Sequence, residues 1–94
     1  MSLINRYNFL KRKFPNTLII FYKKGYYCID FDKYIFERFS YNINLLEKNR
    51  INFLIIDNLT IEKHIIFKNN NYEKYSKIVK IERFLLDNLK IYIK

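Results

Sequence analysis

The stretch NTLIIFYKKGYYCIDFDKYIFERF, Asn16 to Phe39, decides the fold of this chain. Within it TLIIF, Thr17 to Phe21, is β-branched and aromatic. It lies between Pro15 and Gly25, too short an interval for a helix, and reads as a buried strand. Lys23, Lys24 and Gly25 form the turn that follows. Gly25 is the sole glycine of the chain, and a turn position at positive φ is the physical reason to keep one there. Tyr26 to Phe31 then returns as an antiparallel strand. Asp32 stands where a helix N-cap belongs, ahead of KYIFERFSY, whose Ile35, Phe36 and Phe39 share one side.

Working outward, Ser2 caps a first helix whose Leu3, Tyr7, Leu10 and Phe14 recur at three- and four-residue steps, and Pro15 stops it. Downstream, Leu45 to Arg50 supplies one more helical turn before INFLII, Ile51 to Ile56, a continuous apolar run suited to an interior strand. Asp57 and Asn58 turn the chain, and Thr60 to Phe67 reads as a fourth strand. The asparagine-rich NNNY at Asn69 to Tyr72 reads as a loop and cap, with Asn70 and Glu73 spaced as a capping box for a long C-terminal helix. On that helix Tyr75, Ile78, Leu85, Leu89 and Tyr92 form one stripe, while Lys74, Lys77 and Lys80 lie together on another face. The expected architecture is one α+β domain over residues 1–94: a small mixed sheet of about four strands flanked by helices, with a long C-terminal helix.

Hydrophobic residues make up 50% of the 94, with nine Phe and nine Tyr, a composition that folds rather than one that stays disordered. Lys and Arg number 18 against 9 Asp and Glu, a net charge of +9, so polyanions concentrate at the surface and nucleic acid is the first candidate partner. The chain also has no Ala and one Val, while Ile, Asn, Lys, Tyr and Phe abound, as an AT-rich coding sequence produces. Part of the lysine excess can thus come from codon bias, and clustering has to decide. A single cysteine, Cys28, forms no internal disulfide and points to a reducing compartment. Charges interrupt every apolar run before about 20 residues, and no signal-peptide pattern opens the chain. The expectation is an intracellular protein of the cytoplasm or an organellar matrix, not secreted and not in a membrane.

Chemistry-bearing constellations are sparse. His64 is the only histidine and sits in the alternating IEKHII, as an edge-strand or surface residue would; no second His and no Cys pair joins it for zinc. None of Ser2, Ser40, Ser76 or Cys28 lies in a nucleophile elbow. Asp30 and Asp32, two apart, could hold a divalent ion as in a nuclease, or Asp32 caps the helix and Asp30 faces solvent; the second reading is preferred. One glycine excludes a phosphate-binding loop. The expectation is a non-enzyme with no catalytic residues, no metal site and no cofactor.

The binding reading has more material. Three basic clusters stand out: Lys11, Arg12 and Lys13 before the first strand, Lys23 and Lys24 on the turn, and Lys74, Lys77 and Lys80 on the last helix. Tyr22, Tyr26 and Tyr27 flank the turn, and an aromatic beside a cation can stack a base while neutralising its backbone. Strand alternation sends Tyr26 and Tyr27 to opposite sides. Tyr22 and Tyr27 are taken with the eight cations as the nucleic-acid-binding set.

These residues also carry a family resemblance. Phe14-Pro15-Asn16-Thr17-Leu18-Ile19-Ile20-Phe21, then Gly25-Tyr26-Tyr27 and Asp32 resemble the N-terminal mismatch-recognition domain of MutS proteins, and more closely small free-standing proteins like that domain. INFLIID and FKNNNYEKYSKIVKIERFLLDNL resemble the later strand and C-terminal helices of the free-standing type. The resemblance spans about Tyr7 to Leu89 and implies a mixed sheet with a nucleic-acid-facing hairpin. The family's Phe-x-Glu pair falls on Tyr27 and Ile29, so the glutamate that would meet a base edge is absent here. The ATPase, clamp and lever parts do not fit in this length. Two other classes are carried beside the nucleic-acid module. One is a protein-interaction module, such as a phage or mobile-element inhibitor of a nucleic-acid enzyme. The other is a structural subunit of an organellar or reduced-genome ribonucleoprotein such as a ribosome.

Overall fold

The structure, a computed structural model, describes the backbone of residues 2–92 and the side chains of residues 2–89. It is an α+β fold. The chain runs α1 (Leu3–Lys13), β1 (Leu18–Tyr22), β2 (Tyr26–Tyr27), α2 (Asp32–Arg38), α3 (Ile43–Lys48), β3 (Phe53–Asp57), β4 (Thr60–Ile65) and α4 (Tyr72–Tyr92). The four strands form one mixed sheet in the order β2-β1-β3-β4. β1 and β3 are parallel, with Leu18 opposite Phe53 and Tyr22 opposite Asp57, and the two outer strands pair antiparallel to them.

The two continuous apolar runs explain that order. Strands buried on both faces read as unbroken hydrophobic runs, and Leu18 to Phe21 and Phe53 to Ile56 are all buried. Alternation then splits each strand between two cores. Leu18, Ile20, Phe53 and Ile55 join Ile35 and Phe36 of α2, Leu46 of α3, and Tyr72 and Val79 of α4 on one face. Ile19, Phe21, Leu54 and Ile56 meet Tyr7 and Leu10 of α1 on the other. The sheet is thus covered on both sides. Ser2 caps α1 as expected, its hydroxyl accepting from Asn5 N at 3.2 Å.

The asparagine-rich patch is a clasp at the amino ends of the parallel strands. Asn70 accepts from Asn52 N at 2.9 Å and from Tyr72 N at 3.1 Å, and its amide donates to the Asn16 carbonyl at 2.7 Å. Asn71 donates to the Asn49 carbonyl at 2.9 Å, and Asn52 accepts from Phe67 N at 2.7 Å. Asn70 thus bonds the first N–H of α4 from one residue before the N-cap position. Glu73 does not complete a capping box but lies 3.4 Å from Lys77 on the surface.

Three expectations need correction. The second strand ends at Tyr27 rather than Phe31. Cys28 turns into the α2–α4 core and Ile29 packs toward α1, and Asp30 takes φ 51° as the chain leaves the sheet for the helix layer. Asp32 is not an N-cap: it is the first residue of α2, no side chain caps that helix, and its carboxylate is fully buried. The stripe on α4 is the packing face only in its first part, where Tyr75 meets Phe39 at 4.9 Å and Ile78 is half-buried. Tyr72, Ser76 and Val79 are buried, Leu85 and Leu89 are more than half exposed, and the Tyr92 side chain lies outside the described residues.

Candidate nucleic-acid interface

The two parallel strands set up one end of the molecule. β1 runs into the turn Lys23-Lys24-Gly25 and β3 into the turn Asn58-Leu59, so both turns lie at the carboxyl edge of the sheet. In the first turn Lys24 has φ 61° and Gly25 φ 148°, the left-handed geometry anticipated for the glycine. In the second, Asn58 and Leu59 have φ 49° and 70°, the backbone of a two-residue type I′ hairpin. Glycine is the usual occupant of its second position, and leucine there is strained. The Arg6 guanidinium donates to the Leu59 carbonyl at 3.2 Å and ties this turn to α1.

Between the turns lies a groove of about 520 Å³ with Phe21, Tyr27 and Ile56 in its lining, Leu3 at the start of α1, and Lys23, Lys24 and Asp57 along its edges. Tyr27 stacks on Phe21 at 5.8 Å and is half-buried. Tyr22 and Tyr26 face the other side of the hairpin as an exposed pair 5.0 Å apart, and Tyr22 also reaches the groove wall. Lys23 and Lys24 are exposed, and neither forms an ion pair with a carboxylate of the described residues. Ile29 packs with Tyr27 against the α1-side core. Crevices at the carboxyl ends of parallel strands are the usual ligand-binding location of such sheets. An anion with a flat apolar part suits this one.

The other cations lie elsewhere. Lys11 to Lys13 close α1 at the amino end of β1, roughly 13 Å of strand away from the turn. Lys77 and Lys80 line a shallow depression with Pro15, Asn16 and Tyr72 at that same end. The three basic clusters are not brought together around Gly25: the hairpin pair stands alone at one end. Arg12, Lys13, Lys74 and Lys80 are exposed. Lys13, Lys74 and Lys80 sit 5.5 to 5.6 Å from the ring centres of Phe14, Tyr75 and Phe31.

Lys11 is removed from the candidate set, because it is committed internally. Its ammonium donates to the Thr17 carbonyl at 2.7 Å, to Tyr72 Oη at 2.9 Å and to Asp32 Oδ1 at 3.2 Å, and its side chain is 19% exposed. Asp32 also accepts from Tyr72 Oη at 2.7 Å and from Ile19 N at 3.0 Å. Burial raises the Asp32 pKa above the ordinary carboxylate value, opposed by Lys11 and by the Ile19 and Tyr72 hydrogen bonds. Burial likewise lowers Lys11, opposed by Asp32. Burial first, then the Asp32 charge, raises Tyr72 and Tyr7. Asp30, by contrast, is exposed, so the two aspartates do not face one site. Among the described residues no group of three His, Cys, Asp or Glu side chains gathers to hold a metal ion, and no helix is long and apolar enough to cross a membrane.

Lys23, Lys24, Tyr22 and Tyr27 of the predicted set lie on this groove, and its opposite wall, Asp57 to Leu59, was not anticipated because nothing local says that β3 lies parallel to β1. The internal use of Lys11 was also hidden. Its only signal was position: an i, i+1, i+2 run on a helix cannot point one way, and Lys11 follows the buried Leu10 next to the sheet. Comparison with family models, with curated proteins and with solved structures returns no match to this chain.

Proposed function

We propose that this chain is a non-enzymatic nucleic-acid-binding module whose contact surface is centred on the β1–β2 hairpin. The observation that carries the reading is the groove at the carboxyl edge of β1 and β3, where an aromatic lining lies beside two lysines that have no carboxylate partner among the described residues. Lys23 and Lys24 neutralise phosphates, and the tyrosines offer faces on which bases stack. Arg12, Lys13, Lys74, Lys77 and Lys80, at the other end, add long-range attraction rather than a shared site.

The test is fluorescence anisotropy with a labelled single-stranded oligonucleotide over a salt series. Lys23→Glu with Lys24→Glu removes two phosphate contacts and should flatten the logarithmic salt slope by about 1.4. Arg12→Glu with Lys13→Glu changes the net charge equally and serves as the control. Equal losses from the two pairs would mean that only total charge matters and would end the proposal.

A second reading, a protein-interaction module, is favoured by a different observation: the C-terminal half of α4 turns Ile81, Phe84, Leu85 and Leu89 out to solvent.

A further inference from the structure

α4 changes character halfway along. Its first half is an ordinary amphipathic helix: Tyr72, Ser76 and Val79 are buried, and Lys74 and Lys77 face out. In the second half the arrangement is inverted. Two charged residues are used toward the domain, Glu82 in an ion pair with Arg38 of α2 at 3.0 Å and Arg83 over the Tyr34 ring at 4.0 Å, while Asp87 is exposed. At 100° per residue, Ile81, Phe84 and Leu85 point away from α2, with Leu89 beside them. They are 60%, 65%, 55% and 53% exposed. A helix at a water boundary puts charges outward; this segment does the opposite.

The shape agrees. The molecule measures 45 × 31 × 25 Å with a radius of gyration of 14.1 Å, against about 12 Å for a compact domain of this length. A long apolar-faced arm is the natural source of that excess.

We propose that this half of α4 is the interface of a homodimer, in which two copies pair antiparallel about a twofold axis passing near Leu85. The stripe is symmetric about that residue. Ile81 lies four positions before it and Leu89 four after, so in the antiparallel pair Ile81 of one copy meets Leu89 of the other while Leu85 meets itself, as an isologous contact requires. The outward stripe from Ile81 to Leu89 carries no charge, so two copies of +9 can meet there without burying a like-charged pair. A highly charged partner would find no counter-charge in it. Four large side chains more than half exposed, with the stems around them, offer about 500 Å² per copy, and the pair buries about 1,000 Å², the lower bound of a specific interface. The dimer is accordingly in concentration-dependent exchange with monomer, and added salt strengthens it by screening the repulsion of the two basic bodies. This inference does not depend on the nucleic-acid reading.

Sedimentation equilibrium of the full chain tests it. The mass should rise from 11.8 kDa toward twice that value as concentration increases through the range on the order of 10–100 μM. Leu85→Glu should hold the protein at monomer mass over the whole range with an unchanged far-ultraviolet circular dichroism spectrum, because Leu85 belongs to neither core. A second measurement fixes the register and survives any defect of that variant. In a Cys28→Ala background, Leu85→Cys should oxidise to a self-linked dimer. Ile81→Cys should not link to itself but should link to Leu89→Cys when the two are mixed. A chain that stays monomeric at the highest concentration overturns the proposal, as does a dimer that Leu85→Glu leaves intact, or self-linking of Ile81→Cys as efficient as that of Leu85→Cys.

Discussion

Replacing Asp32 by alanine should all but unfold this protein, while replacing Asp32 and Lys11 together should not. The carboxylate is fully buried and receives three donors: Tyr72 Oη at 2.7 Å, Ile19 N at 3.0 Å and Lys11 Nζ at 3.2 Å. Asp32→Ala strands the Ile19 N–H in the middle of the sheet, at a cost of about 1–3 kcal/mol. It also leaves the Lys11 ammonium without a counter-charge, and breaking a buried ion pair from one side costs about 3–5 kcal/mol. The two overlap, and Lys11 retains the Thr17 carbonyl and some water, so a combined loss of about 4–6 kcal/mol is expected, comparable to the whole stability of many domains of this size. Lys11→Met with Asp32→Asn keeps an acceptor for Ile19 N and removes both charges. That double variant should fall within about 1 kcal/mol of the natural chain or exceed it.

The pH dependence distinguishes an ion pair from a mere packing defect. Asp32 has its folded pKa raised above the unfolded value, so its stabilising contribution is complete below the unfolded pKa and is lost as pH rises through the folded one. Lys11 has its folded pKa lowered, so its cost is present below that folded value and disappears only as pH rises past the unfolded value near 10.5. Across neutral pH both groups oppose folding relative to uncharged replacements. Urea unfolding followed by circular dichroism from acid to neutral pH should therefore show the natural chain losing stability relative to the double variant as pH rises, a comparison in which the other carboxylates cancel. Asp32→Ala within about 1 kcal/mol of the natural chain, or a double variant as damaged as the single one, would refute this account.

Cys28 is buried and its thiol pKa is held well above the ordinary value by desolvation, so a thiol reagent should leave the folded protein untouched and label it at the rate of global unfolding. Leu59→Gly relieves a left-handed leucine, at φ 70° and 58% exposed, and should raise stability by about 1 kcal/mol, read as an increase in the urea midpoint. In the oligonucleotide titration Tyr22→Ala should weaken binding about tenfold with little change in stability, since Tyr22 is 41% exposed. Tyr27→Ala should act on both, because that ring also packs on Phe21.

The core elements were legible because they rest on local patterns. Two unbroken apolar runs, a single glycine and a proline after an amphipathic segment place β1, β3, the hairpin turn and α1 within a residue or two. What was not legible is what depends on partners distant in sequence. Asp32 looks like an N-cap because Asp before a helix usually is one; Tyr72, forty residues on, and Lys11, twenty-one back, claim its oxygens instead. What the α4 stripe faces was not legible for a related reason. Tyr75, Ile78, Leu85 and Leu89 do form a continuous line on the helix, but where the helix leaves the domain that line turns toward solvent, and periodicity records a stripe without saying what it faces. The groove was half visible: its lysines and tyrosines are adjacent in sequence, whereas Asp57 to Leu59 reach it only through the parallel pairing of β1 with β3.

The placement of charge follows from the same topology. With α1 on one face of the sheet and α2 to α4 on the other, side chains are offered to a partner by the two ends, the exposed edge strand β4, the outer helix faces and the arm of α4. At the amino end asparagines bond the backbone, Lys11 is held by Asp32 and Tyr72, and Lys77 lies against Glu73, while Arg12, Lys13, Lys74 and Lys80 are exposed with no carboxylate partner among the described residues. At the carboxyl end Lys24, Asn58 and Leu59 hold left-handed conformations that glycine adopts without strain, and no described carboxylate pairs with Lys23 or Lys24. The two ends are separable by experiment. Neutralising the amino-end cations Arg12, Lys13, Lys74 and Lys80 should lower the affinity for an oligonucleotide only as far as net charge dictates, with the loss vanishing in moderate salt. The loss from Lys23 and Lys24 is the larger of the two at low salt and narrows by about 1.4 log units for each tenfold rise in salt, as giving up two phosphate contacts requires.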